Sequence, residues 1–301
     1  MRGVVHRNAD VAVYEVGRVE VGPSLQPFVE HLWWANWSLR GHPTRTVMTI
    51  PFPSLQLTVE QGTDGELRHG HQMPAVLVHG VPTRAFTVDL SSAGWVLGAK
   101  FHPGGWAAWS GRDAGALTDR VVAAAALDQR WADAGRAVLA AVGHRRRVEL
   151  LHEQLAEFAA EPDAEHLQVR RLTERMAAQP AMRITDLAAS VGWSPRTLQR
   201  QFRRLVGVSP KWVLMRYRLQ EAALQLEQHP SADLTDIALG LGWYDQSHLS
   251  EDFRRVLGTT PGRYAERART SRTQDAQTVP RRNRNAMAPG VLCADRLPDA
   301  S

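Results

Sequence analysis

Two short segments of the chain carry side chains of the types that hydrogen-bond the edges of DNA base pairs. The outward-facing positions of the first are Arg196, Thr197, Gln199, Arg200 and Arg203, and those of the second are Gln246, Ser247, His248 and Glu251. In the major groove Arg forms paired hydrogen bonds with guanine and Gln with adenine. Such residues predict base recognition, although one segment alone would also fit a helical hairpin with a solvated charged face.

The unit that carries these side chains occurs twice. Residues 185–193 recur as residues 235–243 at an offset of 50, and residues 202–210 recur as residues 253–261 at an offset of 51. The two copies share glycine, tryptophan and phenylalanine positions. Internal duplication is a stronger signal than a single short motif, so it favours a functional unit over a plain hairpin.

Each copy has the pattern of a helix-turn-helix. In the first copy Gly192 supplies the left-handed residue that ends one helix, and Ser194 caps the next helix with Pro195 at its first position. Apolar residues at spacings of three and four predict the buried face of that second helix. They are Leu198, Phe202 and Leu205. In the second copy Asp245 is the predicted cap.

A longer helix is predicted between the copies. It begins at Ser209-Pro210 and ends before His229-Pro230. Its ~18 residues at 1.5 Å each would span ~27 Å. That length can hold two recognition helices near the ~34 Å repeat of successive major grooves, so one chain could contact two adjacent grooves without dimerising.

On these residues the segment resembles the DNA-binding domain of the AraC family of bacterial transcription regulators, and residues 253–264 are similar to the pattern that ends the family's second motif. The resemblance implies base contacts by Arg196, Gln199, Arg200, Gln246, Ser247, His248 and Glu251. Residues expected near the phosphates are Thr197, Arg203, Arg204, Arg254 and Arg255. Because family members often have a basic residue where Glu251 stands, the second helix is expected to read cytosine or mainly to position the first.

The N-terminal part of the chain has the period-two pattern of short strands. The predicted strands are Val11–Val16, Leu55–Val59, Ala75–Val78, Ala85–Leu90 and Trp95–Phe101. Several short strands at regular spacing favour a small antiparallel barrel or sandwich. The resemblance implies a cupin-like sensor barrel that binds a small effector, and residues 51–57 and 101–105 are more weakly similar to one subgroup of such domains.

Two sets of side chains in this part could carry chemistry. His69 and His71 are two residues apart, which would place both rings on one face of a strand, as in metal-binding barrels. No carboxylate at a convincing spacing completes the set, so they are interpreted as exposed turn histidines, and no metal or cofactor is expected. Six tryptophans could line an apolar effector pocket, or belong to the core or to a subunit interface. They are Trp33, Trp34, Trp37, Trp95, Trp106 and Trp109.

Composition limits the class of protein. The chain of 301 residues is 44% hydrophobic, and its single cysteine, Cys293, excludes an intrachain disulfide. Residues 167–270 hold 16 Lys and Arg against 10 Asp and Glu, whereas residues 1–166 hold 15 against 18. Positive charge therefore concentrates in the duplicated segment, as phosphate binding requires. The first residues have no signal-like apolar core and no run of about eighteen apolar residues occurs, so a cytoplasmic location without membrane association is expected.

The sequence thus predicts an α+β protein in four parts. These are a β-rich barrel or sandwich sensor domain (residues 1–115), a helical connector (116–179), a double helix-turn-helix domain (180–267) and a disordered basic tail (268–301).

The expected function is that of a sequence-specific DNA-binding transcription regulator responding to a small-molecule effector. Double-stranded DNA is the expected partner, RNA polymerase and a second copy of the chain are further candidates, and the connector packs either within the chain or in a dimer. No nucleophile–base arrangement or phosphate-binding glycine loop is present, so no enzymatic activity is expected. The alternative is a metal-binding or small-molecule-processing β-barrel protein with a helical appendage.

Overall fold

The computed structural model describes residues 14–49, 52–84, 86–159 and 161–278. Its strands are β1 (Tyr14–Val19), β2 (Val29–Ser38), β3 (Arg45–Thr49), β4 (Gln56–Gln61), β5 (Leu67–Arg68), β6 (His71–Gln72), β7 (Ala75–His79), β8 (Phe86–Leu90), β9 (Ala93–Phe101) and β10 (Val121–Ala123). Six of them form an antiparallel sheet in the order β1-β2-β9-β4-β7-β10. The pairs β3-β8 and β5-β6 form two smaller antiparallel sheets.

The six-stranded sheet has one apolar face and one face with many polar side chains, because successive side chains point to opposite sides of a strand. Leu57 and Val59 of β4 are buried on the apolar face, where Leu57 is paired with Ala99 of β9. Thr58 and Glu60 alternate with them on the other face. The apolar face packs against helices, and the polar face lines a cavity.

Helices cover the apolar face and lead to the C-terminal part. They are α1 (Gly105–Ser110), α2 (Gln129–Ala140), α3 (His144–Glu157) and α4 (Ala164–Ala178), with 3-10 turns at Gly115–Leu117 and Ala124–Ala126. Trp106 and Trp109 of α1 pack with Trp131 of α2 at ring-centroid distances of 5.1 to 5.7 Å. This aromatic cluster is buried and forms the centre of the main core.

The C-terminal part is all-helical. It consists of α5 (Ile184–Ala189), α6 (Pro195–Val206), α7 (Pro210–Gln228), α8 (Leu234–Gly240), α9 (Gln246–Leu257) and α10 (Pro261–Thr278). The predicted local signals for the turns are confirmed: Gly192 has a φ of 68°, the Thr197 amide donates to the Ser194 hydroxyl (3.1 Å), and the His248 amide donates to Asp245 (2.8 Å). α5–α6 and α8–α9 are the two helix-turn-helix motifs, and α7 joins them.

The two motifs belong to different hydrophobic cores. Phe202 of α6 lies in the main core, which runs without a break from the sheet through α1 and α4 into α5, α6 and the first half of α7. Phe253 of α9, at the equivalent position, lies in a second core formed by the rest of α7 with α8, α9 and α10. The first motif is therefore continuous with the N-terminal part of the protein, and the second is not.

The predicted fold class is confirmed, with a sheet-rich N-terminal part and an all-helical C-terminal part. The sequence missed β2, β3, β5, β6 and β10. The predicted disordered tail from residue 268 is wrong at its start, since α10 continues to Thr278. Cys293 and the tail arginines Arg281, Arg282 and Arg284 lie outside the described residues, as does the start of the predicted strand Val11–Val16. The other predicted boundaries, between the sensor domain, the connector and the double helix-turn-helix domain, remain predictions. Of the helices that the structure describes, none combines the length and hydropathy needed to cross a bilayer.

Candidate nucleic-acid interface and ligand cavity

The outward face of α6 is exposed and rich in hydrogen-bond donors. Arg196, Gln199, Arg200 and Arg203 are all exposed, on the side of the helix away from its buried apolar stripe. Their side chains have no hydrogen-bond or ion-pair partner among the described residues. Such a face can meet a ligand from solution without first breaking contacts within the protein. Thr197 differs, because it is half-buried and its hydroxyl lies 3.0 Å from that of the capping Ser194.

Arg204 is not free in the same way. Its guanidinium forms an ion pair with Glu165 of α4 and donates to the side-chain oxygen of Gln201 at 3.1 Å. Gln201, which is buried, donates in turn to Glu165 at 2.9 Å. This triad of Glu165, Gln201 and Arg204 ties α6 to α4, so the charge of Arg204 is already compensated within the protein.

The second motif repeats this pairing of one free and one occupied arginine. At the C-terminal end of α9, Arg254 is exposed and unpaired within the described part of the chain, whereas Arg255 forms an ion pair with Asp252. Arg203 and Arg254 occupy equivalent positions, and so do Arg204 and Arg255. At the C-terminal end of each helix, one arginine of the adjacent pair is thus uncompensated and the other has an acidic partner.

The N-terminal end of α9 is also exposed. The side chains of Gln246, Ser247, His248 and Glu251 are at the surface, and the Gln246 side chain lies 3.5 Å from the Thr235 hydroxyl of α8. Tyr244, in the turn before α9, is 84% exposed, although it is a large aromatic residue. The sequence pattern did not predict an exposed aromatic residue here.

The end of α6 is hydrogen-bonded to the N-terminal part of the protein. The Ala114 amide donates to the carbonyl of Arg204 at 2.8 Å, and the Thr118 hydroxyl donates to the carbonyl of Gly207 at 2.5 Å. Gly207 has a φ of 93°, and a Cβ there would lie 3.1 Å from the carbonyl oxygen of Ala114. A glycine is therefore needed at this junction both for its conformation and for the close approach.

The linking helix α7 makes a second connection through Arg216. This residue is 6% exposed and donates to the carbonyl of Thr83 at 2.8 Å, while its guanidinium lies 4.4 Å from the centre of the Trp212 ring. Burial lowers the pKa of Arg216 to about 10. The amide and hydroxyl of Thr83 both donate to Asp119, at 2.6 and 2.7 Å. Residues 82, 84, 119 and 120 line the cavity, so the two loops around Thr83 and Asp119 connect the cavity with α7.

The cavity has a volume of about 390 Å³ and lies between the polar face of the six-stranded sheet and the β3-β8 pair. Its aromatic lining includes Trp33, Trp37, Phe52 and Phe86. Of the alternatives left open for the six tryptophans, Trp33, Trp34 and Trp37 line the cavity. Trp106 and Trp109 are core residues. Trp95 is not in the lining but lies beneath the guanidinium of Arg147 at 4.2 Å.

Polar groups in the cavity cluster around Glu60. Its carboxylate accepts from the Thr58 hydroxyl at 2.8 Å and from Arg68 at 3.1 Å, and it lies 3.1 Å from Nε2 of His79 and 3.8 Å from Nε2 of His69. Although burial opposes ionisation of Glu60, the hydrogen bond from His79 and the charges of the His79 and His69 rings hold the pKa of Glu60 at about 2. Burial lowers the pKa of His69 to about 4.

The interpretation of His69 and His71 as exposed turn histidines is wrong for His69. Its side chain is only 8% exposed and lies beside Glu60, because the backbone at His69 has a φ of 55° and turns the ring inward. His71, on β6, points elsewhere, and its Nε2 lies 3.2 Å from the carbonyl of Val121. The two rings do not share one strand face. Sequence reasoning also missed Glu60 and Arg68. For Glu60 the signal was a polar residue at every second position of β4, whereas Arg68 lies in the two-residue β5, which has no such pattern.

Comparison with known proteins places two matches on the chain. Residues 187–267 match a family described as a helix-turn-helix domain, and residues 18–123 match one described as a domain of unknown function (DUF6597). The first match covers the first motif from Leu187 onward, the whole of α7 and the second motif. The second match covers the strands that form the cavity except the first part of β1.

Relatives match the C-terminal part of the chain. A protein of Streptomyces lividans that is named as an AraC-like transcription regulator is 41% identical over 81 residues, which are 27% of this chain and 26% of that protein. The transcriptional activator RhaS of Klebsiella pneumoniae is 36% identical over 112 residues, 37% of this chain and 40% of RhaS. The chain thus spans less than half the length of these relatives. Among solved structures, the DNA-binding domain of AdpA in complex with a target DNA is 30% identical and covers 37% of this chain and 98% of that domain, with a TM-score of 0.32. The helical C-terminal part is a double helix-turn-helix domain that is similar to those of AraC-like regulators.

Proposed function

We propose that this chain is a sequence-specific DNA-binding transcription regulator of the AraC type, with an N-terminal domain that binds a small-molecule effector. The observation that carries the proposal is the pair of exposed helix faces on α6 and α9, which stand at equivalent places in a duplicated motif. The similarity of residues 187–267 to regulators that are named as AraC-like supports it.

The base-reading residues of the first motif are Arg196, Gln199 and Arg200. They are exposed, and no described side chain satisfies their donors, so a base edge would supply hydrogen bonds that only water now makes. Arg203 at the end of the same face is assigned to a phosphate. Arg204 contributes less to phosphate binding than its sequence position suggests, because it is paired with Glu165.

The second motif reads DNA through Gln246, Ser247 and His248. These residues lie in the first turn of α9, whose positive end also favours a nearby phosphate. Glu251 is an acceptor and fits the amino group of cytosine. Arg254 is assigned to a phosphate, and Arg255, paired with Asp252, again contributes less.

An effector in the cavity would act through the loop contacts between the two parts of the protein. Residues that line the cavity adjoin Thr83 and Thr118, which are bonded to α7 and to the end of α6. A ligand that shifts the segments around Thr83 and Thr118 would therefore move α7 and the end of α6 through these hydrogen bonds. The mixed apolar and polar lining suits an organic molecule with at least one polar group. Contacts with RNA polymerase or with a second copy are further proposals that follow from the AraC resemblance.

Selection of bound duplexes from a random pool tests the assignment. The full chain should enrich a site with two conserved blocks about one helical turn apart. Arg200→Ala should lose the preference in one block and Gln246→Ala in the other, each at a cost of about 1–3 kcal/mol on the selected site, which is roughly 5- to 150-fold in affinity. Failure to enrich any sequence at low ionic strength would refute sequence-specific binding. Equal losses on selected and random duplexes would instead refute only the roles given to these two residues.

A further inference from the structure

The cavity contains a cluster of side chains that DNA binding does not use. Glu60 at the end of β4, His69 in the β5-β6 turn and His79 at the end of β7 each offer one ligand atom, and these atoms lie within 4.8 Å of one another. The three side chains are 4%, 8% and 12% exposed. Burial of a carboxylate is costly unless it is paired and hydrogen-bonded, and Glu60 has such partners in Thr58 and Arg68.

The spacing of the ligand atoms suits one transition-metal ion. Two ligands at about 2.0–2.1 Å from a tetrahedral ion lie about 3.3 Å apart. Oε1 of Glu60 lies 3.1 Å from Nε2 of His79, and Oε2 of Glu60 lies 3.8 Å from Nε2 of His69. One ligand atom of each residue lies within 4.8 Å of the others, so a movement of His69 toward Oε1, the oxygen beside His79, would bring two nitrogen ligands and one oxygen ligand around a single ion.

A second layer of contacts holds the cluster in place. Arg68, which is buried, donates to Oε2 of Glu60 at 3.1 Å and to Glu66 at 2.9 Å. Carboxylates that bind metals in proteins are usually hydrogen-bonded in this way through their other oxygen. Arg68 thus occupies Oε2 and leaves Oε1, the oxygen beside His79, as the one that would bind the ion in place of its hydrogen bond from Thr58.

Aromatic contacts fix the two imidazole rings. His69 stacks on Phe86 at a centroid distance of 5.1 Å with an interplanar angle of 25°, and His79 meets the edge of the same ring at 5.8 Å. Both histidines and Glu60 line the cavity. An ion held by the three residues would consequently have its remaining coordination position directed into the cavity, where a water molecule or a polar ligand can reach it.

We propose that Glu60, His69 and His79 form a binding site for a divalent transition-metal ion, with Zn²⁺ the best fit, and that the fourth coordination position opens into the cavity. Two imidazoles and one carboxylate with one open position are a donor set typical of such ions. Binding requires the His79 proton to reside on Nδ1, so that Nε2 can coordinate the ion instead of sharing a proton with Glu60. This site is independent of the proposed DNA contacts, which lie on other elements.

Metal titration of the full, untagged chain tests the site. The chain is prepared metal-free with Cys293→Ser to remove its only thiol, and is titrated with Co²⁺, followed by visible absorption, and with Zn²⁺ in competition. One ion per chain is expected, with the absorption of a nitrogen- and oxygen-coordinated Co²⁺. His69→Ala and His79→Ala should each weaken binding at least tenfold, since loss of a ligand costs no less than loss of a supporting contact. His71→Ala is the matched control, because His71 lies in the same segment but outside the cluster, and it should bind as the parent does.

Two results would overturn the proposal. One is the absence of stoichiometric uptake by the parent chain, and the other is unchanged binding in both His69→Ala and His79→Ala. To separate loss of the site from loss of the fold, Glu60→Gln, which keeps the shape of the side chain, is titrated as well, and the thermal transition of each variant is measured without metal. Specific DNA binding by the same preparations is a separate readout, so failure of the metal site leaves the proposed function standing, and failure to bind DNA leaves the metal site standing.

Discussion

The ion pair between Arg204 and Glu165 leads to a prediction about the salt dependence of DNA binding. Two neighbouring arginines, Arg203 and Arg204, stand at the end of α6, yet only Arg204 has an acidic partner. Releasing counterions from DNA requires an uncompensated positive charge. We therefore expect Arg203→Ala to flatten the salt dependence and Arg204→Ala to change it much less.

The magnitude follows from counterion release. One lost phosphate contact reduces the slope of log K against log salt by about 0.9, which between 50 and 200 mM salt is about 3.5-fold in relative affinity. Arg203→Ala should show the full change on a random-sequence duplex, and Arg204→Ala less than about twofold. In a Glu165→Gln background the charge of Arg204 is released, and Arg204→Ala should then show the full change. Because the pair is about half exposed, with side-chain exposures of 44% and 48%, its loss should cost only about 0.2–1 kcal/mol of stability, and every variant should fold.

The assay is fluorescence anisotropy of a labelled random duplex across that salt range, with the four variants compared to the parent. Equal flattening by Arg203→Ala and Arg204→Ala in the parent background would refute the argument, because it would mean that Glu165 does not neutralise Arg204 when DNA is present. The argument would also be contradicted if Arg204→Ala flattened the salt slope no more in the Glu165→Gln background than in the parent background.

Helix caps and cores give three more expected outcomes. Hydrogen bonds from Arg130 hold the pKa of Asp128, the N-cap of α2, at about 2. The stabilisation that ionised Asp128 contributes is therefore present above about pH 4 and is lost as the pH falls from 4 to 2. The thermal midpoint of the parent should exceed that of Asp128→Asn at neutral pH, and the difference should disappear in acid. Phe202→Ala and Phe253→Ala should each cost about 3–5 kcal/mol of stability. In hydrogen exchange, the loss of protection should extend to the sheet for Phe202→Ala and stay within α8–α10 for Phe253→Ala. Identical exchange patterns would contradict the division into two cores. Gly240→Ala, where a Cβ meets nothing within 4 Å, should raise the thermal midpoint by an amount equivalent to about 0.5–1 kcal/mol, and a lower midpoint would show that the end of α8 is strained.

Local signals explain which features the sequence could predict. The helix-turn-helix motifs were predictable because caps, turn glycines and apolar spacing act within a few residues, and the caps at Ser194 and Asp245 are where the sequence places them. The recognition faces followed from the same spacing. By contrast, β2 was missed because its tryptophans are apolar on either side of the strand, so its sequence does not alternate between apolar and polar residues.

Distant contacts explain what the sequence could not predict. The cluster of Glu60, His69 and His79 forms only when β4 pairs with β7 and the chain turns at a left-handed His69, and none of these residues lies at a motif spacing from the others. The pairing of Arg204 with Glu165 joins residues 39 positions apart. Patterns of residue type cannot distinguish an arginine with a partner of this kind from one without.

The two motifs are alike in sequence but are held in different settings, and this difference bears on how a signal could reach DNA. The first motif shares the main core with the sheet and is bonded to the loops beside the cavity through Ala114 and Thr118. The second has a core of its own and joins the rest chiefly through α7. A ligand in the cavity can thus alter the first motif directly, whereas the second can respond only by moving with α7. Arg216, which is buried, bonds α7 to the loop beside the cavity. A movement of that loop would shift α7, and with it the second motif, relative to the first. A change in the angle between the motifs is therefore the response that this architecture favours.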